Sequence, residues 1–224
     1  MTSYYTEKLS ALNLERCYEI APPRIIQYLE AEIDYVVSKL KPSDLLLELG
    51  CGYGRIFPEL LKVSPNVIGI DTAFESLQYA WKRHSTYAGI QYLQMNAGTT
   101  AIRDNSVDVV ICIQNGISAF KVDPVVLFKE SLRIARSGGM CIFSTYSEKI
   151  WKERLEWFKL QANEGLLGEI DWARTKDGTI VCKDGFKATT VSKEDFKRFS
   201  EEASATYEIQ EIDSSSLFCI LSSP

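Results

Sequence analysis

A single histidine, His84, stands in this 224-residue chain, and no two of its six cysteines are spaced as C-x-x-C. Cys17, Cys51, Cys112, Cys141, Cys182 and Cys219 are scattered, which excludes the usual zinc spacings and fits a reducing compartment. Lysine and arginine form no run, and the net charge is −5 with a pI near 5.1. Enzymes that grip nucleic acid usually carry a basic stripe, so a large nucleic-acid substrate is disfavoured. No apolar run approaches the length of a membrane span, and Met1-Thr2-Ser3-Tyr4-Tyr5 does not read as a signal peptide. A soluble cytoplasmic protein is the expectation. Internal repeats and low-complexity tracts are missing too. A chain of this size buries about 70% of its unfolded surface and needs no disulfide.

Against these absences one stretch stands out. Leu45-Leu46-Leu47-Glu48-Leu49 reads as an interior strand of a parallel sheet, and it runs into Gly50-Cys51-Gly52-Tyr53-Gly54-Arg55. Glycine there permits positive φ and lets a ligand approach the backbone without meeting a Cβ. A helix is expected to start near Arg55, aiming its free N–H groups into the same crevice. A dinucleotide fingerprint, G-x-G-x-x-G, would need glycine at position 55, where the chain has Arg55. The pattern present is G-x-G-x-G, with an acid two residues before the first glycine. It resembles motif I of the class I S-adenosylmethionine (SAM)-dependent methyltransferases.

The rest of the chain agrees with that resemblance. Val67-Ile68-Gly69-Ile70-Asp71 is a second short strand ending in a carboxylate, 23 residues after Glu48. An ionised acid at that place can accept two hydrogen bonds from vicinal ribose hydroxyls. Thr72 is the expected N-cap of a helix over about 73–84, with Glu75 at the capping-box spacing. A third strand, Ile90 to Met95, ends in Asn96-Ala97, where the family often has a group that accepts from the adenine amino group. Val107 to Ile113 is the strongest strand signal, and Gln114-Asn115 follow it at the edge where open α/β sheets bind ligands. A helix over about 123–135, the turn Arg136-Ser137-Gly138-Gly139 and a strand from Met140 to Thr145 complete the core.

The resemblance implies an α/β, doubly wound Rossmann-like sheet of seven strands in the order 3-2-1-4-5-7-6, with strand 7 antiparallel. Thr206 to Ile212 and Ser216 to Leu221 alternate as the closing hairpin, behind a helix that Ser192 caps. The whole of 1–224 is expected to be one domain. Residues 1–42 form a helical cap, with Pro23 in the first turn of a helix reaching about Leu40. Residues 146–191 are an insertion, a helix followed by a β-meander whose turns are Lys176-Asp177-Gly178 and Lys183-Asp184-Gly185. Such insertions commonly serve as a lid or a subunit contact, so a homodimer through this segment is an alternative to a lid.

The cofactor implied is SAM, leaving S-adenosylhomocysteine as product, with no metal. Its expected contacts are Tyr18, Glu48, Gly50, Cys51, Gly52, Asp71, Thr72, Asn96, Ala97 and Gln114. Tyr18 enters because relatives often close an N-terminal aromatic over the methionine end; ordinary packing is the alternative. Asn115 and Tyr146 are candidates for contact with the methyl acceptor, with capping of the following turn the favoured alternative for Asn115. Methyl transfer from a sulfonium asks the protein chiefly to position two reactants and exclude water. No general base stands out, and His84 reads as a solvated or helix-terminal residue.

Two absences narrow the acceptor. Enzymes methylating adenine or glutamine nitrogen carry [Asp/Asn]-Pro-Pro-[Tyr/Phe] after strand four, where this chain has Gln114-Asn115-Gly116-Ile117. Cytosine C5 enzymes use a Pro-Cys pair, and none occurs. The leading expectation is a small-molecule methyltransferase acting on O, N, S or C. A catalytically silent SAM-binding or scaffold subunit, or a tRNA or protein methyltransferase, are the alternatives.

Overall fold

The computed structural model describes residue 4 and residues 8–222. Residues 1–3 and 5, on which the reading of a leader peptide rests, lie outside them. Ahead of the first strand lie the helices α1 (Ala11–Glu19) and α2 (Pro23–Val37). The alternating core follows as β1 (Leu45–Leu49), α3 (Phe57–Leu61), β2 (Asn66–Asp71), α4 (Phe74–Arg83), β3 (Ile90–Gln94) and β4 (Val107–Cys112). It continues through α5 (Gly116–Ala119), α6 (Pro124–Ile134) and β5 (Ala135–Tyr146). The insertion supplies α7 (Trp151–Asn163) and the two-residue strands β6 (Ile180–Val181) and β7 (Lys187–Ala188). The chain closes with α8 (Lys193–Glu202), β8 (Thr206–Ile212) and β9 (Ser216–Ser222).

Seven strands form one sheet in the order β3-β2-β1-β4-β5-β9-β8. The first five are parallel, and β9 lies antiparallel between β5 and β8. Counted without the insertion hairpin β6–β7, this is the expected order 3-2-1-4-5-7-6. Both faces are covered, so β1 and β4 are apolar throughout except at Glu48 and Asp108. One core layer packs Leu47, Val110 and Phe143 against Phe128 of α6 and Phe196 of α8. The other packs Leu46, Val109 and Ile111 against Val36, Phe57, Leu60 and Leu77. A third cluster (Cys17, Tyr28, Trp157, Phe158 and Phe186 among it) joins the N-terminal helices to the insertion.

Local departures from expectation have local causes. Helix α3 begins at Phe57 and not near Arg55. The loop spends Gly50, Gly52 and Gly54 at positive φ, and Pro58 belongs in a first helical turn. Ala73, not Thr72, is the N-cap of α4, and no side chain caps it; Glu75 instead accepts from Ser10 Oγ at 3.2 Å. Helix α2 stops at Val37, short of Leu40. His84 is buried, its Nε2 3.2 Å from the Tyr53 carbonyl, and burial lowers its pKa. Of the two readings of His84 the solvated one fails and the helix-terminal one holds: it is the C-cap of α4, and it packs beneath the glycine loop. At Ser192 the capping box with Asp195 is complete, as expected for α8.

Candidate active site

The carboxyl ends of β1, β2 and β4 open into one cavity of about 1040 Å3, its mouth included. This is the crevice where open α/β sheets hold ligands. Helix α1 roofs it. The roof is tied down by Glu15 to Tyr79 and Arg83, by Ala11 N–H to Ser76 Oγ at 3.0 Å, and by Trp157 Nε1 to the Cys17 carbonyl at 2.8 Å.

Strand β1 delivers Glu48 to the floor. Its side chain is buried, Oε2 has no hydrogen-bond partner, and burial pushes its pKa up to about 8 despite the pull of nearby Arg55. At the end of β2, Asp71 is held by both oxygens. Oδ2 accepts from Gly52 N–H at 2.9 Å, and Oδ1 from Ala73 N–H at 2.8 Å. Burial raises its pKa and these backbone donors oppose the rise. A carboxyl group fixed this way keeps lone pairs free toward the cavity, which it lines beside Thr72.

Past β3, Asn96 and Ala97 line the same wall. Asn96 Oδ1 already accepts from Gly98 N–H at 2.8 Å, leaving one lone pair on that oxygen. At the end of β4, Gln114 sits at φ +56°, its N–H donating to Ser144 Oγ at 2.9 Å. Tyr18 OH donates to its Oε1 at 2.9 Å, and Nε2 is buried with no partner. Cys51 is a buried cavity residue whose thiol burial raises well above its ordinary pKa.

The glycines do less for a ligand than the sequence suggests. A Cβ at Gly50 would lie 2.3 Å from the Phe120 ring, and one at Gly52 2.9 Å from Leu14 Cδ2. The space they vacate is taken by this chain's own side chains, both of which line the cavity. Glycine is required there for packing and for φ of +68° and +53°.

All ten residues expected at the cofactor line this cavity. The two acceptor candidates do not. Asn115 is buried, donates through Nδ2 to the Thr189 carbonyl at 2.8 Å and accepts at Oδ1 from Thr145 Oγ1 at 2.8 Å. Tyr146 is buried with its ring 5.0 Å from Tyr28 and beneath the Arg154 guanidinium at 4.4 Å. Sequence reasoning missed Arg55, Tyr53 and Phe120, which line the cavity. Arg55 was noticed only as the residue that breaks a dinucleotide pattern, although a cation just past a glycine loop was a usable signal. Among the described residues no group of three His, Cys, Asp or Glu side chains could hold a metal ion.

Residues 47–143 match the family described as "Methyltransferase domain". Over 140 residues the chain is 29% identical to the ubiquinone biosynthesis O-methyltransferase of Colwellia psychrerythraea, covering 59% of this chain and 56% of that protein. Over 132 residues it is 33% identical to the malonyl-[acyl-carrier protein] O-methyltransferase of a Marinomonas species, covering 56% and 47%. The chain thus spans about half the length of the curated relatives it matches. Its fold is that of a SAM-dependent methyltransferase from Aquifex aeolicus, with a TM-score of 0.63 at 16% identity over 92% of this chain and 96% of that one.

Proposed function

We propose, from the match of residues 47–143 to a methyltransferase domain, that this protein is a class I SAM-dependent methyltransferase, an enzyme moving the methyl group of SAM to a small molecule. The observation that carries the reading is the polarity of the cavity. The Asp71 carboxyl group, held by two backbone N–H groups, lines it, and so does Glu48, whose buried Oε2 is unpaired. A nucleoside bearing an amino-acid tail has a ribose diol and an ammonium to meet them. Asp71 and Thr72 would hold the ribose, Asn96 and Ala97 the adenine, and Glu48 the ammonium. Backbone of the loop 50–52 would line the middle.

When bound, SAM supplies a methyl group already activated by its sulfonium charge. The chain's own residues have to orient the reactants and keep water out. Helix α1 and Tyr18 close one side, and Gln114 fixes the far wall. The two relatives are named O-methyltransferases, which favours an oxygen acceptor. The chain reads as a single unit in which residues 1–42 act as a cap and 146–191 as its support. Through Trp157 the insertion braces α1, so it serves the lid. Exposed Leu160 and Trp172 on the insertion favour a homodimer contact there. No described helix is long and apolar enough to cross a membrane, and action in the cytoplasm is part of the proposal.

Titration calorimetry with SAM tests the reading. Micromolar binding is expected, and Asp71→Asn should weaken it at least tenfold through lost charge-assisted bonds of about 1.5–3 kcal/mol each. Absence of binding at millimolar SAM by the folded protein would sink the proposal.

A further inference from the structure

The cation in this cavity lacks a partner on one particular edge. Arg55 Nε and Nη2 are both buried, and neither has a hydrogen-bond partner. These two nitrogens share one side of the planar guanidinium, and their N–H bonds run parallel. That side-on fork matches the two oxygens of a carboxylate. The group is also held in place: its carbon lies 4.9 Å from the centre of the Tyr18 ring, whose hydroxyl is anchored on Gln114. Burying charged donors without an acceptor is costly, so the site is built for an anion that arrives from outside.

Glu48 does not serve as that anion. It lies close enough to feel the Arg55 charge, yet its own Oε2 is unpaired and burial holds its proton to about 8. An unmatched guanidinium edge and an unmatched carboxyl oxygen in one cavity have the complementarity of a zwitterion. Resting on the methyltransferase reading, we infer that Arg55 is the carboxylate receptor of this site, gripping side-on through Nε and Nη2. The carboxylate belongs either to the amino-acid tail of the cofactor, with Glu48 taking the ammonium beside it, or to the methyl acceptor.

Calorimetry with two nucleosides distinguishes these sources. Decarboxylated SAM keeps the ammonium and loses only the carboxylate. With the cofactor as source, wild-type protein binds SAM at least tenfold more tightly than decarboxylated SAM. Arg55→Met then erases that gap by weakening SAM alone, while Arg55→Lys, which keeps charge without the fork, recovers only part of it. With the acceptor as source, Arg55→Met leaves SAM affinity unchanged. Benzoate titrated into the S-adenosylhomocysteine complex then binds wild type and not the variant. An equal loss for SAM and decarboxylated SAM in Arg55→Met overturns the assignment, because it marks a structural role. Unchanged binding of SAM and of benzoate overturns it as well. Should Arg55→Met not fold, as judged by circular dichroism, the wild-type comparison decides: equal affinities for the two nucleosides, with no benzoate binding, reject Arg55 as the receptor. Failure of wild type to bind either nucleoside would instead strike the methyltransferase reading itself.

Discussion

Two groups of buried polar side chains flank the carboxyl end of β4, and they differ in one respect. On the β1 side, Glu48 Oε2, Arg55 Nε and Nη2, and Gln114 Nε2 are unpaired. On the β5 side the Asn115 amide is used at both ends, by Thr145 and by the Thr189 carbonyl, and Thr145 Oγ1 also accepts from Val191 N–H at 3.1 Å. Native proteins rarely leave buried polar atoms unpaired without a reason. On the proposed function the first group is the seat of the ligand; the second is a weld that fastens the insertion to the sheet. Adjacent residues, Gln114 and Asn115, thus fall on opposite sides of the division. Both sit in left-handed conformations at φ +56° and +61°, so the same strained turn aims one amide at the cavity and the other at the weld.

Mutations in the weld should cost stability and spare binding, with the reverse on the other side. The largest effect is expected from Arg154→Ala. Arg154 is fully buried, donates to the Gly178 carbonyl at 2.8 Å and the Ala188 carbonyl at 3.2 Å, and is covered by Tyr146, Trp151 and Phe158. Its loss should destabilise the protein by about 3–5 kcal/mol in chemical denaturation. At a temperature where the variant stays folded, SAM affinity should be within about threefold of wild type, as for sites without shared partners. A selective loss of SAM binding would erase the distinction.

Asn115→Ala comes next. It leaves the Thr189 carbonyl and the Thr145 hydroxyl without a partner and puts a Cβ-bearing residue with no local hydrogen bonds at positive φ. About 2–4 kcal/mol of stability should go, again read by denaturation, with SAM binding nearly intact. If Asn115→Ala instead abolished binding at full stability, Asn115 would belong to the seat.

Much of this molecule was legible in its sequence, and what was legible is what depends on neighbours along the chain. The strands and the cap at Ser192 follow from alternation, apolar runs and short spacings, while the strand order follows from the resemblance that the glycine loop, Glu48 and Asp71 carry. The failures concern contacts between distant residues. Asn115 is claimed by Thr189, 74 positions away, and the Thr145 that holds its other end is 30 away. His84 is buried because α4 brings it under Tyr53, 31 positions earlier. The glycines of the loop look like a cradle until Phe120 and Leu14, from two other segments, are found filling it. Arg55 could be seen but not interpreted, since its meaning lies in what fails to reach it.

The smallest expected effect is a pH dependence, and it bears on the seat alone. Burial holds the Glu48 pKa at about 8 and the Glu32 pKa at about 7, both above the 4.5 of an unburied glutamate. Arg55 lowers the Glu48 value and Asp71 raises it; Ser144 and Arg55 lower that of Glu32. The sign is the reverse of the usual salt-bridged carboxylate. Between pH 4.5 and 8 the folded protein holds protons that the unfolded chain has released. Ligand-free stability is therefore greatest below pH 4.5 as far as these groups decide it, and falls as pH rises to about 8. Glu32 is half titrated by about pH 7 and Glu48 by about pH 8, so most of the slope from pH 7 to 8 comes from Glu48. One proton corresponds to about 1.4 kcal/mol per pH unit at most. Glu48→Gln cannot ionise, so it should remove most of the slope between pH 7 and 8 and about half of what these two groups contribute below pH 7. Thermal melts at half-unit steps from pH 6 to 8.5 resolve the two segments. An identical slope above pH 7 in wild type and Glu48→Gln would show that Glu48 is ionised without a ligand. Arg55 would then be its partner, and the seat would be closed by an ion pair as the weld beside it is closed by hydrogen bonds.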